Sequence, residues 1–291
     1  PRQAQLSTET KEGDPNTPNP IERGLSRKIK PLFELEEEAL RYGLYIFLNL
    51  SAHPSLRSVL VDRRVAVNLF EEALMESPDK RIRRTVGKIL VNLANNGQEQ
   101  TPRHSKLIEA GILYPIRMFL KHDDFSLKCF AVQLVSHLCV SEGSRAEIGK
   151  QVEIIKDVIS LCNPHDNEVN LWVARSIAEL SNLRDNYGIL NELKALDALV
   201  FLISTRSKDK DVRLEAVRAL SNLSTYRPIK VQIVSSGALG YLISMSKSGT
   251  GLHRVYALAT LTNLEQDTAA IRIQRMFRGF NCRKGEKASS K

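Results

Sequence analysis

From about Pro31 onward, apolar residues recur at steps of three and four. Val212, Ala216, Val217, Ala219, Leu220 and Leu223 show the pattern in one segment. That spacing gathers them on one helical face. Breakers interrupt it at His53-Pro54, Ser77-Pro78, Asn95-Asn96-Gly97, Asn163-Pro164, Arg227-Pro228 and Gly249-Thr250-Gly251. The pattern predicts helices of roughly 8–15 residues joined by short loops. Residues 1–31 differ: they hold five of the eleven prolines and almost no apolar periodicity. Such a segment buries too little surface to offset its ordering entropy, so a flexible tail is expected there.

A short motif then repeats. It reads Leu48-Asn49-Leu50-Ser51, Val91-Asn92-Leu93-Ala94, Ser136-His137-Leu138-Cys139, Ala178-Glu179-Leu180-Ser181, Ser221-Asn222-Leu223-Ser224 and Thr262-Asn263-Leu264-Glu265. Its leucines are separated by 43, 45, 42, 43 and 41 residues. In an all-helical chain, a period of about 40–47 marks stacked helical repeats. One such unit cannot bury its apolar face alone, so neighbours share a continuous core. A second element lies between the motifs, as in Ile108-Glu109-Ala110-Gly111-Ile112-Leu113 and Ser236-Gly237-Ala238-Leu239.

At these residues the chain resembles the armadillo family. The resemblance implies an all-α, armadillo/HEAT-like α-solenoid of about six repeats over residues 32–266. Each repeat would have a short first helix, a second helix opened by a Gly-containing turn, and a long third helix ending in the motif. Gly111 and Gly237 match that turn, whereas Asp197 and Val65 stand there in other repeats.

The family's third helices line a groove, and the motif Asn points into it. Here that row reads Asn49, Asn92, His137, Glu179, Asn222 and Asn263. An Asn amide both donates and accepts, which suits the backbone of an extended peptide. Importin-alpha members carry Trp one turn earlier. This chain has Tyr45, Lys88, Gln133, Arg175, Arg218 and Ala259 instead, and its only tryptophan, Trp172, is out of register. Binding of basic import signals is therefore not expected. Lys88, Arg175 and Arg218 would give a modestly basic groove suited to an acidic extended peptide, as in beta-catenin-like members. Alternatively they are solvated charges or pair with Glu179 and Glu215.

Near the end of the chain, Ile273-Gln274, Arg278-Gly279 and Arg283 match every defined position of the IQ motif, and Phe280 follows the Gly. The resemblance implies binding of calmodulin or a related EF-hand light chain. On a helix over 267–284, Ile273, Phe277 and Phe280 form one apolar stripe, with arginines around it. By resemblance, Gln274 would hydrogen-bond a lobe of the light chain, Arg278 would meet its acidic groups, and Gly279 would allow close approach. Two other readings stay open: a cap over Leu261 and Leu264 of the last repeat, or a helix lying on an anionic membrane. Residues 285–291 form a basic tail.

Composition narrows the classes. Aromatics are only 6% of the chain, with 15 Gly and 11 Pro, which argues against an all-β fold. No apolar run approaches the roughly 18 residues of a membrane span. The net charge of +9 suggests nucleic acid, but residues 269–291 carry seven bases and one acid, and 1–31 carry six bases and four acids. The body is nearly neutral, so nucleic-acid binding is not expected. The four cysteines show no C-x-x-C pair, and the six histidines no metal-ligand spacing. No catalytic or phosphate-loop motif is present. The expectation is therefore a non-enzymatic scaffold without metal or cofactor. The alternative is a structural subunit of a large cytoskeletal, axonemal or organellar assembly. A cytoplasmic or cytoskeletal location is expected, or an organellar one if the chain, which begins at Pro1, has been processed.

Overall fold

Among the described residues of the computed structural model, every regular element is helical. Those residues are 38–62, 77–95, 100–162, 166–204 and 209–265. The chain divides into two compact units, 1–46 and 47–291. In the first, described residues 38–46 are helical, with Leu44 buried and Tyr42 and Tyr45 exposed. The repeats described below belong to the second.

Helix α1 covers 38–52, followed by α2 (Pro54–Asp62) and α3 (Lys80–Ala94). A three-helix module then recurs. The first comprises α4 (Gln100–Glu109), α5 (Leu113–Lys121) and α6 (Phe125–Leu138). The second comprises α7 (Glu142–Gly149), α8 (Val152–Ser160) and α9 (Asn167–Leu180). The third opens on a 3-10 turn at Arg184–Asn186 and continues as α10 (Tyr187–Glu192), α11 (Ala195–Ile203) and α12 (Lys210–Leu223). The fourth comprises α13 (Arg227–Ser235), α14 (Ala238–Ser248) and α15 (Leu252–Glu265). The long third helices pack in order: α3 on α6, α6 on α9, α9 on α12 and α12 on α15. The result is the α-solenoid that the repeat predicts.

The motif leucines explain the stacking. Leu93, Leu138, Leu180, Leu223 and Leu264 are all buried, on third helices that pack against one another, whereas Leu50 is half-buried. Fully burying one such side chain is worth roughly 2 kcal/mol, and every module contributes several.

Polar groups close the helix ends at fixed distances from those leucines. Fourteen residues before Leu93, Leu138, Leu180 and Leu223 stand Asp79, Asp124, Asp166 and Asp209. Each is an N-cap whose carboxylate accepts first-turn N–H groups: from Arg81, Ser126, Val169, and both Asp211 and Val212. At the other end, a donor from the next module meets the last carbonyls. Arg57 donates to Ser51 and Ala52, and Arg145 to Cys139 and Val140. Arg103 reaches Asn95, and Asn186 reaches Leu180. The aspartates suit the positive end of the helix macrodipole and the arginines its negative end.

The second helices open on a left-handed residue, as the family pattern implies. Gly111 has φ 93° and Gly237 has φ 83°. In the third module the residue is Lys194, with φ 56°, so the expected register with Asp197 in the turn is three residues too late. Asp197 lies inside α11 and donates its N–H to the Lys194 carbonyl. The turn is defined by a backbone angle, and Lys194 adopts it without being glycine. Val65 lies outside the described residues, as do residues 1–31 and the expected IQ helix 267–284 with its basic tail.

A left-handed non-glycine residue costs on the order of 1–2 kcal/mol, part of which glycine's own entropy takes back. Lys194→Gly should therefore raise the unfolding free energy by about 0.5–1 kcal/mol, read as a higher urea midpoint at unchanged slope.

Candidate functional site

The third helices present one face whose residues recur once per repeat. Its composition is set by the position before each motif leucine and by the position one turn earlier. Asn49 and Lys88 are exposed; Asn92, Asn222 and Asn263 are half-buried.

The asparagines are not loose. Asn92 Nδ2 donates to Ser51 Oγ at 3.0 Å, Asn222 Nδ2 to Ser181 Oγ at 3.1 Å, and Asn263 Nδ2 to Ser224 Oγ at 2.9 Å. Each serine in turn donates to the carbonyl three residues before it, at Leu48, Ala178 and Ser221. The motif's final small residue is thus a hydroxyl anchor for the asparagine of the next repeat. Asn222 makes a second donation, to Asn182 Oδ1 at 2.9 Å. With its N–H groups engaged, each amide keeps Oδ1 as its remaining acceptor.

The two central positions depart from this pattern. His137 is buried and packs edge-on against Trp172, with ring centroids 5.2 Å apart. The Arg175 guanidinium lies 5.8 Å over the same indole. Trp172, out of register for a tryptophan row, therefore builds a local aromatic and cationic cluster. Its Nε1 and His137 Nδ1 have no hydrogen-bond partner among the described residues.

Glu179 is also buried. It accepts from Arg218 at 2.8 Å and from Asn182 at 3.1 Å, and lies 3.8 Å from Arg145. Arg218 also holds Glu215 at 2.6 Å. Burial works against the Arg218 charge, but Glu215 and Glu179 overcome it and hold the guanidinium more firmly protonated. Arg218 is thus a tie between α9 and α12, and the paired alternative is the one observed. Of the three expected groove cations, Lys88 and Arg175 have no carboxylate partner among the described residues.

Sequence reasoning missed the serine anchors, the arginine caps and one buried polar cluster. His104 Nε2 lies 2.8 Å from the Ala94 carbonyl, and Nδ1 lies 2.7 Å from Ser141 Oγ. A carbonyl only accepts, so Nε2 carries the proton and Nδ1 takes the serine's. The neutral imidazole is fully satisfied. A signal was present: basic residues stand seven after the motif leucine at Arg57, Arg145 and Lys230, a period that hydrophobicity does not display.

No group of His, Cys, Asp or Glu among the described residues is arranged to hold a metal. Burial pushes the Cys129 and Cys162 thiols up to about 11, so neither is a ready nucleophile. No described helix is long and apolar enough to cross a membrane. The IQ residues Ile273, Gln274, Phe277, Arg278, Gly279, Phe280 and Arg283 lie outside the described residues.

Comparison with known proteins agrees with this architecture. Residues 185–225, almost the whole third module, match the armadillo/beta-catenin-like repeat family. A search of curated protein sequences finds no significant match. Among solved structures, computationally designed armadillo repeat proteins for modular peptide recognition superpose with TM-score 0.70 at 20% identity, covering 81% of this chain and 98% of theirs. A designed armadillo repeat protein in complex with the peptide (KR)4 gives TM-score 0.69 at 19% identity, covering 78% and 94%. Another designed armadillo repeat protein also gives 0.69 at 19% identity, covering 77% and 92%. The fold is therefore that of an armadillo solenoid.

Burial holds both His104 and His137 at a pKa of about 4, against about 6.5 when unfolded. The unfolded chain binds more protons between those values. Their contribution is complete above about pH 6.5 and is lost as pH falls toward 4, on the order of 2–3 kcal/mol for each. Urea unfolding at pH 7 and pH 4.5 should show that loss, and His137→Asn should make the pH dependence markedly shallower.

Proposed function

We propose that the chain is a non-enzymatic protein-interaction scaffold that holds an extended acidic peptide against its third-helix face. The supporting observation is the row of serine-anchored asparagines, Asn92, Asn222 and Asn263, each retaining an acceptor oxygen. Packed helices lie about 8–10 Å apart, and an extended chain advances about 3.3 Å per residue. One repeat would therefore meet a peptide backbone every two to three residues, through an asparagine at Asn49, Asn92, Asn222 and Asn263 and through other side chains at the two central repeats. Lys88 and Arg175 supply positive charge, while Glu179 and Glu215 are offset by Arg218 and Arg145. The designed relative that binds (KR)4 holds a basic peptide; the charges here favour the opposite sign.

Labelled octapeptides of alternating Asp and Glu, and of alternating Lys and Arg, test this by fluorescence anisotropy on the full chain. The acidic peptide should bind at least about tenfold tighter, and Lys88→Glu with Arg175→Glu should abolish that preference. Equal binding of both peptides, or a preference untouched by charge reversal, defeats the reading. Arg218 is left intact in this experiment because its replacement would unpair buried Glu179.

The same scaffold carries a second partner in this proposal: a calmodulin-like EF-hand protein bound at Ile273, Gln274, Phe277, Arg278, Gly279, Phe280 and Arg283. The support is the complete match of the motif and the apolar stripe it creates. Size-exclusion chromatography with calmodulin should give a 1:1 complex, lost on Ile273→Asp with Phe277→Asp. No complex in either calcium or chelator removes this part of the proposal and leaves the groove reading standing.

A further inference from the structure

The last module breaks two rules that the earlier ones keep. Four third helices open on a capping aspartate; α15 opens instead on Gly251, whose carbonyl accepts from Val255 and which has no side chain to cap with. Eleven residues before the motif leucine, the earlier helices carry buried Ile82, Leu127, Val169 and Val212; here the residue is His253, only half-buried. An anion and an apolar plug have both gone, and a cavity of about 390 Å³ stands in that place.

Its lining is one-sided in charge. Lys210, Arg213 and His253 contribute bases; Ser244, Ser248 and Thr250 contribute hydroxyls; no carboxylate is among the described lining residues. Asp209 is occupied in capping α12, accepting from Asp211 and Val212. Arg213 Nε is buried without a hydrogen-bond partner among the described residues. His253 Nε2 donates to the Lys210 carbonyl at 2.9 Å, which ties the imidazole to α12. The start of α15, where Gly251 offers no side chain, adds the positive end of a helix macrodipole.

We infer that this cavity binds a phosphate monoester dianion, which restores the negative charge that the other repeats supply from their own aspartate. Guanidinium, hydroxyls and a helix N-terminus together match the tetrahedral oxygens of a phosphoryl group. The volume exceeds that of phosphate alone and leaves room for a small organic group. The site is independent of the peptide face and of the IQ residues.

Thermal unfolding and titration calorimetry on the full chain test it, with inorganic phosphate and O-phospho-L-serine as probes and chloride at matched ionic strength as the control. One or both probes should raise the midpoint beyond the chloride control. Phosphate acting alone identifies a free-phosphate site; a requirement for O-phospho-L-serine identifies an organic monoester. Arg213→Gln should weaken binding about tenfold. Thr250→Asp, which sets a carboxylate at the exposed rim of the cavity, should abolish it while leaving the unfolding midpoint at or above that of the wild type. That second variant separates lost binding from lost folding. No midpoint shift beyond chloride with either probe, or a shift that survives Thr250→Asp, overturns the assignment.

Discussion

Everything here depends on one constraint: a three-helix module of about 40 residues cannot cover its own apolar face. Leu138, Leu180 and Leu223 are buried on third helices that pack against those of the neighbouring modules. Third helix must therefore pack on third helix, and the ends of each helix are brought against the neighbouring module. An end carrying unsatisfied N–H or C=O groups at such a junction is costly. The aspartates at one end and Arg57, Arg103, Arg145 and Asn186 at the other answer that cost. Apolar stacking fixes the spacing, and the polar caps fix the register.

That division of labour explains what was legible in the sequence. The solenoid could be read because its driving force is apolar burial, which repeats as identifiable leucines. The asparagine row could be read because it stands beside them. The left-handed turn at Lys194 could not be placed, since glycine is a proxy for a backbone angle and this repeat reaches the angle without it. The serine anchors were hidden for another reason. Ser51, Ser181 and Ser224 occupy positions where small size alone was expected, and only the structure shows that their hydroxyls receive the next repeat's amide. The arginine caps Arg57 and Arg145 lie seven residues beyond the leucines, and Arg103 ten, in segments whose apolar pattern says nothing about them.

The candidate site was legible in part. Lys88 and Arg175 keep the charge that residue type suggests, and Arg218 does not offer its charge to a ligand. Type and spacing put Arg218 on the correct face, but two carboxylates at 2.6–2.8 Å consume it. A buried Glu179 needs that partner, because an unpaired carboxylate there would be strongly destabilising. Structural demand therefore outweighs ligand binding at that position.

The same competition divides the third-helix face. Asparagines hold the row at Asn49 and Asn92 and again at Asn222 and Asn263, while His137 and Glu179 interrupt it. Both interruptions are buried and turned to internal contacts: His137 to Trp172, Glu179 to Arg145, Asn182 and Arg218. An asparagine amide contacts any peptide backbone and so confers little selectivity. An indole capped by a guanidinium discriminates by shape and charge. For the proposed peptide, the face would offer general backbone acceptors at two ends and a discriminating cluster between them. Repeats that diverge from the motif gain side-chain chemistry at the cost of one backbone anchor each. The last module carries that trade furthest: with Gly251 in place of a capping aspartate and His253 in place of an apolar residue, Lys210, Arg213 and His253 surround a space with no carboxylate among its described lining residues.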